Sequence, residues 1–62
     1  MWIRTEEGVL LNCDRVAVIQ YEEEHHGTVA YMENNNTLYL CHGDVTTIIQ
    51  TALHRGQKIL EV

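Results

Sequence analysis

The chain has 62 residues and a formal net charge of −5, and 45% of its residues are hydrophobic. This length makes one domain, residues 1–62, whose core rarely supplies more than about 3–5 kcal/mol of stability. The hydrophobic content is that of a folded globule and excludes a disordered tail. The acidic balance argues against nucleic acid as a partner, because affinity for the phosphate backbone comes from Lys and Arg.

The sequence lacks the features of a membrane protein and those of a secreted one. No apolar run approaches the roughly 18 residues that span a bilayer, no basic cluster offers a patch for an anionic membrane, and no signal peptide is evident. The two cysteines, Cys13 and Cys41, are too few and too far apart for a disulfide-rich secreted scaffold. We therefore expect a cytoplasmic protein with reduced thiols and no membrane contact.

Short β-branched and aromatic runs alternate with turn signals along the first two thirds of the chain, which is typical of an antiparallel meander. The predicted strands are residues 2–5, 9–11, 15–21, 28–32 and 37–41. Gly8 is expected to turn the chain after the first strand. Asn12 and Asp14 are expected to interrupt the second, because their side chains bond to nearby backbone.

The hydrophobic period then changes to that of a helix. Five apolar residues fall at i, i+3, i+4, i+7 and i+8 on one helical stripe, namely Val45, Ile48, Ile49, Ala52 and Leu53. They predict a helix over about residues 44–55, with Asp44 as its N-cap and Gly56 just past its end. Residues 57–62 either extend the helix or form an edge strand. The predicted fold is α+β, an antiparallel four- or five-strand meander with one C-terminal amphipathic helix.

The predicted strands are apolar on both sides, which a half-solvated sheet would not be. A four-strand sheet is about 15–19 Å wide, whereas one helix is about 10 Å across. We therefore expect an uncovered sheet face to pack on a second copy, as a homodimer. The candidate interface residues are Ala17, Ile19, Tyr21, Tyr31 and Tyr39. Alternatively, the first strand and the tail fold over that face within one chain.

Two groups contain side chains that bind transition metals. The first is the acidic and histidine run of residues 22–26, and the second combines the cysteines with His42. Adjacent side chains diverge in an extended segment, and the spacing matches no zinc pattern. A solvated hairpin and buried thiols are the simpler interpretation. We expect no metal at these candidate ligands: His25, His26, Cys41 and His42.

Catalytic motifs are missing from the sequence. There is no Gly-rich phosphate loop, no serine-based motif and no paired-carboxylate spacing, so we expect no enzymatic activity and no cofactor. The leading prediction is a non-catalytic protein–protein interaction or regulatory module that acts as a homo-oligomer and also contacts another protein. One alternative is a single-stranded nucleic-acid binder, if Tyr21, Tyr31 and Tyr39 share a face on which bases stack. The other is a small metal-binding protein that uses His, Cys and Glu.

The pattern Gly8, Asn12, Asp14, Val16 and Ile19, followed by a hairpin and an amphipathic helix, resembles the small flagellar FlbD family. The resemblance covers roughly residues 3–53. The usual Pro-Asp and Asn-Gly hairpin signals of that family are missing here, where three consecutive asparagines stand instead. The resemblance implies a bacterial cytoplasmic accessory factor that acts through protein contacts.

Overall fold

The computed structural model describes all 62 residues and contains six strands and one helix. The strands are β1 (Trp2–Arg4), β2 (Leu10–Asn12), β3 (Val16–Glu22), β4 (Gly27–Met32), β5 (Thr37–His42) and β6 (Ile59–Glu61), and the helix is α1 (Thr46–His54). Single 3-10 turns at Cys13–Arg15 and Glu23–His25 flank β3. The α+β class, the antiparallel meander and the single C-terminal helix are confirmed.

The strands form two three-stranded sheets rather than one. The larger sheet is the antiparallel meander β3-β4-β5, and the smaller has the order β2-β1-β6. The chain leaves the small sheet after Asn12, whose side chain accepts a hydrogen bond from the Asp14 N–H at 3.0 Å. This bond stabilises the 3-10 turn that redirects the chain from the small sheet into β3 of the large one.

Residues 57–62 contain a strand and do not extend the helix, which were the two alternatives left open by the sequence. Gly56 adopts a φ of +69°, and its N–H donates to the Leu53 carbonyl while the Gln57 N–H donates to the Ala52 carbonyl. This pair of bonds is the Schellman motif that ends helices at glycine. The chain then returns as β6, which pairs in parallel with β1, with Ile3 beside Leu60.

The helix begins slightly later than predicted. Val45 occupies the N-cap position, and the Asp44 carboxylate accepts hydrogen bonds from both the N–H and the hydroxyl of Thr46, at 3.0 and 2.7 Å. Asp44 precedes the N-cap residue by one position, yet its carboxylate satisfies a free N–H of the first turn as an N-cap side chain would. These hydrogen bonds lower the pKa of Asp44 below its ordinary value.

The core lies between the two sheets and the helix. Its central cluster takes residues from all three elements: Ile3, Leu11, Ala30, Leu40 and Ile49. Ile3 of β1 and the half-buried Leu60 of β6 pack together with Ile49 of α1 on the inner face of the large sheet. The first strand and the tail therefore cover this face within one chain, which was the alternative to a second copy.

Candidate functional site

The outer edge of β3 is open. β3 pairs only with β4, and no other hydrogen bond reaches the backbone of residues 17–21. The strand is seven residues long, with the sequence VAVIQYE. An unpaired edge of this length and apolarity is a template for pairing with another strand.

The opposite edge of the same sheet is capped by the chain itself. The Glu6 N–H donates to the Leu40 carbonyl at 2.8 Å, and the His42 N–H donates to Glu6 Oε1 at 3.3 Å. Glu6 therefore satisfies two outward groups of β5 with one residue. Because β5 is protected in this way and β3 is not, the two edges of the sheet differ in their capacity to pair.

An apolar groove runs beside the open edge, between β3 and α1. It has a volume of about 350 Å³. Val16, Ala17 and Ile19 form its strand side, and the apolar residues on its helix side are Ile49 and Leu53. Leu53 is 52% exposed. The open edge and the groove together form one apolar surface, which we call the β3 surface.

The predicted interface residues divide between the two faces of the sheet. Opposed residues of antiparallel strands share a face, so Ile19 and Tyr21, which oppose Ala30 and Thr28, belong to the inner face. Ala17 occupies an irregularity in the pairing and lines the groove. The structure therefore brings Ala17, Ile19 and Tyr21 together along β3.

The remaining two predicted interface residues lie on the outer face. Tyr31 opposes Val18 and Thr37 across its two neighbouring strands, and Tyr39 opposes Val29. The three tyrosines therefore do not all lie on one face of the sheet, because Tyr21 lies on the inner face and Tyr31 and Tyr39 lie on the outer face. Because base-stacking surfaces need aromatic rings on one surface beside positive charge, this arrangement gives the nucleic-acid alternative no support.

Tyr31 belongs to a polar cluster on the outer face. Its phenol donates a hydrogen bond to Glu22 Oε2, which also accepts from Gln20 Nε2 at 2.8 Å. His25 Nε2 lies 3.5 Å from the other carboxylate oxygen. The hydrogen bonds lower the pKa of Glu22, and the bond to Glu22 raises the pKa of Tyr31. Glu22 therefore ties Gln20 of its own strand to Tyr31 of β4, and the cluster is a structural unit of the hairpin.

Tyr39 packs over Gly27, the first residue of β4. A Cβ at position 27 would lie 2.8 Å from Tyr39 Cζ and 2.6 Å from the Cys41 carbonyl oxygen, closer than carbon atoms approach. Burial raises the pKa of Tyr39, and the charges of Glu6 and Glu7 raise it further. A ring held against backbone with acidic neighbours is suited to packing and unsuited to a phosphate backbone.

The candidate metal ligands do not converge. His25 lies in the 3-10 turn and His26 follows it, whereas Cys41 and His42 end β5. No group of three or more His, Cys, Asp or Glu side chains is placed to hold a metal ion. Both cysteines are free thiols, and burial raises the pKa of each, which makes them poorer nucleophiles at neutral pH.

The chain matches no protein-family model, no curated protein and no solved structure. In addition, the structure has no helix with the length and apolarity that crossing a membrane requires. The candidate site therefore rests on geometry alone, and the β3 surface is the feature of the molecule that combines unsatisfied backbone groups with exposed apolar side chains.

The edge position of β3 was not predicted from the sequence. A signal was present, because β3 is the longest apolar strand and lies between two irregular segments, residues 12–15 and 23–26. Strand order is a non-local property, however, and period-two patterns do not reveal which strand lacks a second neighbour.

Proposed function

We propose that the protein is a non-catalytic protein–protein interaction module that works as a homo-oligomer in the cytoplasm, and that the β3 surface is its contact surface. The observation that carries the proposal is the open, apolar edge of β3 beside the groove under α1. Extended partners add to such edges through main-chain hydrogen bonds, while adjacent pockets take their side chains.

The small core gives the second support for association. Only 11 of the 62 residues are buried, and a core of this size seldom stabilises a chain strongly by itself. Exposed apolar residues line both sides of the open surface, among them Val18, which is 48% exposed. A partner that covers these side chains adds the hydrophobic stabilisation that the single chain lacks.

The resemblance to the FlbD family agrees with this proposal, since it implies an accessory factor that acts through protein contacts. Nothing in the arrangement of side chains favours a reaction over a contact. The polar cluster of Glu22 is satisfied internally, and the groove is lined largely by aliphatic side chains.

Sedimentation velocity tests the proposal. We expect the wild-type protein at micromolar concentration to sediment as a species larger than the 7.2 kDa single chain. Val18→Lys places a charge on the exposed side of β3 and should shift the protein to the monomer, because charged edge residues prevent strand pairing.

Thr37→Lys is the matched control. Thr37 is exposed on the same outer face, but it belongs to the opposite edge strand β5, so its substitution should leave the sedimentation unchanged. Circular dichroism of both variants checks that neither substitution unfolds the protein. A wild-type protein that remains a 7.2 kDa monomer up to about 100 µM would refute the homo-oligomer.

A further inference from the structure

We propose that the occupant of the β3 surface is a second copy of the chain, whose β3 pairs antiparallel with the first about a twofold axis at Ile19. This inference rests on the proposed function and specifies its geometry. Pairing of the two open edges would convert two three-stranded sheets into one continuous six-stranded sheet, with an α1 helix on the same side of each half.

The charges at the ends of β3 favour antiparallel pairing. Arg15 precedes the strand, and Glu22, Glu23 and Glu24 end it. Arg15, Glu23 and Glu24 are exposed, and none of them forms an ion pair within its own chain. Antiparallel pairing places the arginine of each copy beside the acidic run of the other. Parallel pairing would place like charges together at both ends, which is destabilising.

The faces of the sheet restrict the register. A twofold axis perpendicular to the sheet keeps the inner face of one copy continuous with the inner face of the other, so within residues 17–21 only residues of the same face can stand opposite each other. An axis at Val18 would place Arg15 opposite Tyr21 of the second copy. An axis at Gln20 would place Arg15 opposite His25 of the second copy.

Of the three axes, only the one at Ile19 brings Arg15 to an acidic residue of the second copy, Glu23. Ile19 then faces its own counterpart, and the exposed Val18 lies opposite Gln20 of the second copy. On the groove side, the small Ala17 lies beside Tyr21 of the second copy, which gives that large ring space next to Leu53. The register therefore joins three residues that the structure brings together on β3, and it places Arg15 next to Glu23 of the second copy.

The other strand edges fit a second copy less well. β5 is capped by Glu6, and β2 and β6 are each only three residues long. Three residues offer a second copy fewer main-chain hydrogen bonds than the seven residues of β3. β3 is thus the one edge of the molecule that is both long and open.

Cysteine cross-linking tests the register. In a Cys13→Ala/Cys41→Ala background, Ile19→Cys should form a disulfide-linked dimer on mild oxidation. Opposed residues of antiparallel strands have Cα atoms roughly 4.5–5.5 Å apart, within the range that a disulfide spans. Val18→Cys and Gln20→Cys, each one step from the axis, should cross-link less, and Thr37→Cys on β5 should not cross-link.

A charge exchange provides a second test that does not touch the strand itself. Arg15→Glu should weaken dimerisation about tenfold at low salt, because it replaces two attractions per dimer with two repulsions. Adding Glu23→Arg should restore the dissociation constant to within about threefold of wild type, and the recovery should diminish at high salt. Since both residues are exposed, the variants should fold normally.

The possible failures are distinguishable. A wild-type protein that is monomeric refutes the proposed function and this inference together. A wild-type dimer in which Ile19→Cys cross-links no better than Thr37→Cys, or in which Glu23→Arg fails to rescue Arg15→Glu, refutes the β3 pairing and leaves the interaction module intact. Strongest cross-linking at Val18→Cys or Gln20→Cys would overturn the axis at Ile19.

Discussion

The Thr28 hydroxyl connects β4 to the segment that leads into α1, and its removal should destabilise the protein measurably. Thr28 is fully buried. Its hydroxyl donates to the Gly43 carbonyl at 2.7 Å and accepts from the Val45 N–H at 3.1 Å. Thr28→Val keeps the shape of the side chain and removes both bonds.

The cost follows from the two backbone groups that lose a partner. A buried polar group left unsatisfied costs about 1–3 kcal/mol. Gly43 and Val45 are only half-buried, so water can partly replace the hydroxyl and the lower limit applies to each. We therefore expect Thr28→Val to lose about 2 kcal/mol of the free energy of unfolding, which is about half of what a core of this size supplies.

Urea denaturation at fixed protein concentration measures this loss. With a slope of about 1 kcal/mol/M for so small a chain, the midpoint should fall by about 2 M. The concentration is held fixed because association would add to the apparent stability.

Thr5→Val is the matched control. Thr5 is also buried, but its hydroxyl accepts only one bond, from the Val9 N–H at 3.0 Å, so about 1 kcal/mol should be lost. A Thr28→Val protein as stable as wild type, with Thr28→Ser less stable, would show that the methyl group matters at this position and the hydroxyl does not.

Two further changes test the large sheet. Gly27→Ala should destabilise the protein by about 1–3 kcal/mol, because the added Cβ forces Tyr39 or the strand to shift. Near-ultraviolet circular dichroism should report the displaced tyrosine ring. An unchanged spectrum together with an unchanged urea midpoint would contradict the packing of Tyr39 over Gly27. Hydrogen bonding in the folded state lowers the pKa of Glu22 below 4.5, so its contribution is present above that value and is lost as the pH falls through the folded pKa. The stability of Glu22→Gln should therefore vary less with pH below 4.5, which urea midpoints across an acid series measure. Tyr31→Phe should show a smaller reduction, because the hydrogen bond from Gln20 to Glu22 remains.

The helix illustrates what the sequence could predict. Its apolar stripe and the glycine that ends it are local signals, and both are confirmed. Only Ile49 and Ala52 of the stripe are buried, however, while Ile48 is 54% exposed. How much of a stripe is covered depends on the breadth of the surface beneath it, and a repeat along one element does not contain that information.

The candidate site was only partly predictable for a related reason. The strand β3 is predicted from the sequence, and of the candidate interface residues on it Ile19 and Tyr21 lie on the inner face while Ala17 lies at the pairing irregularity. Tyr31 and Tyr39 were grouped with them although they lie on the opposite face. The relative phase of neighbouring strands depends on pairing irregularities, which occur here between Val16 and Val18 and between Thr28 and Val29, and the period-two pattern of each strand does not reveal them.

The parallel pairing of β1 with β6 has a consequence for the order in which the molecule folds. The meander needs only short connections between its strands, whereas Ile3 and Leu60 come from opposite ends of the chain. Contacts between distant segments form late, because the closure entropy is lost before they provide any stabilisation. We therefore expect the hairpins of the meander to form before β6 docks beside β1, so that docking of the last strand completes the cover over the inner face of the meander.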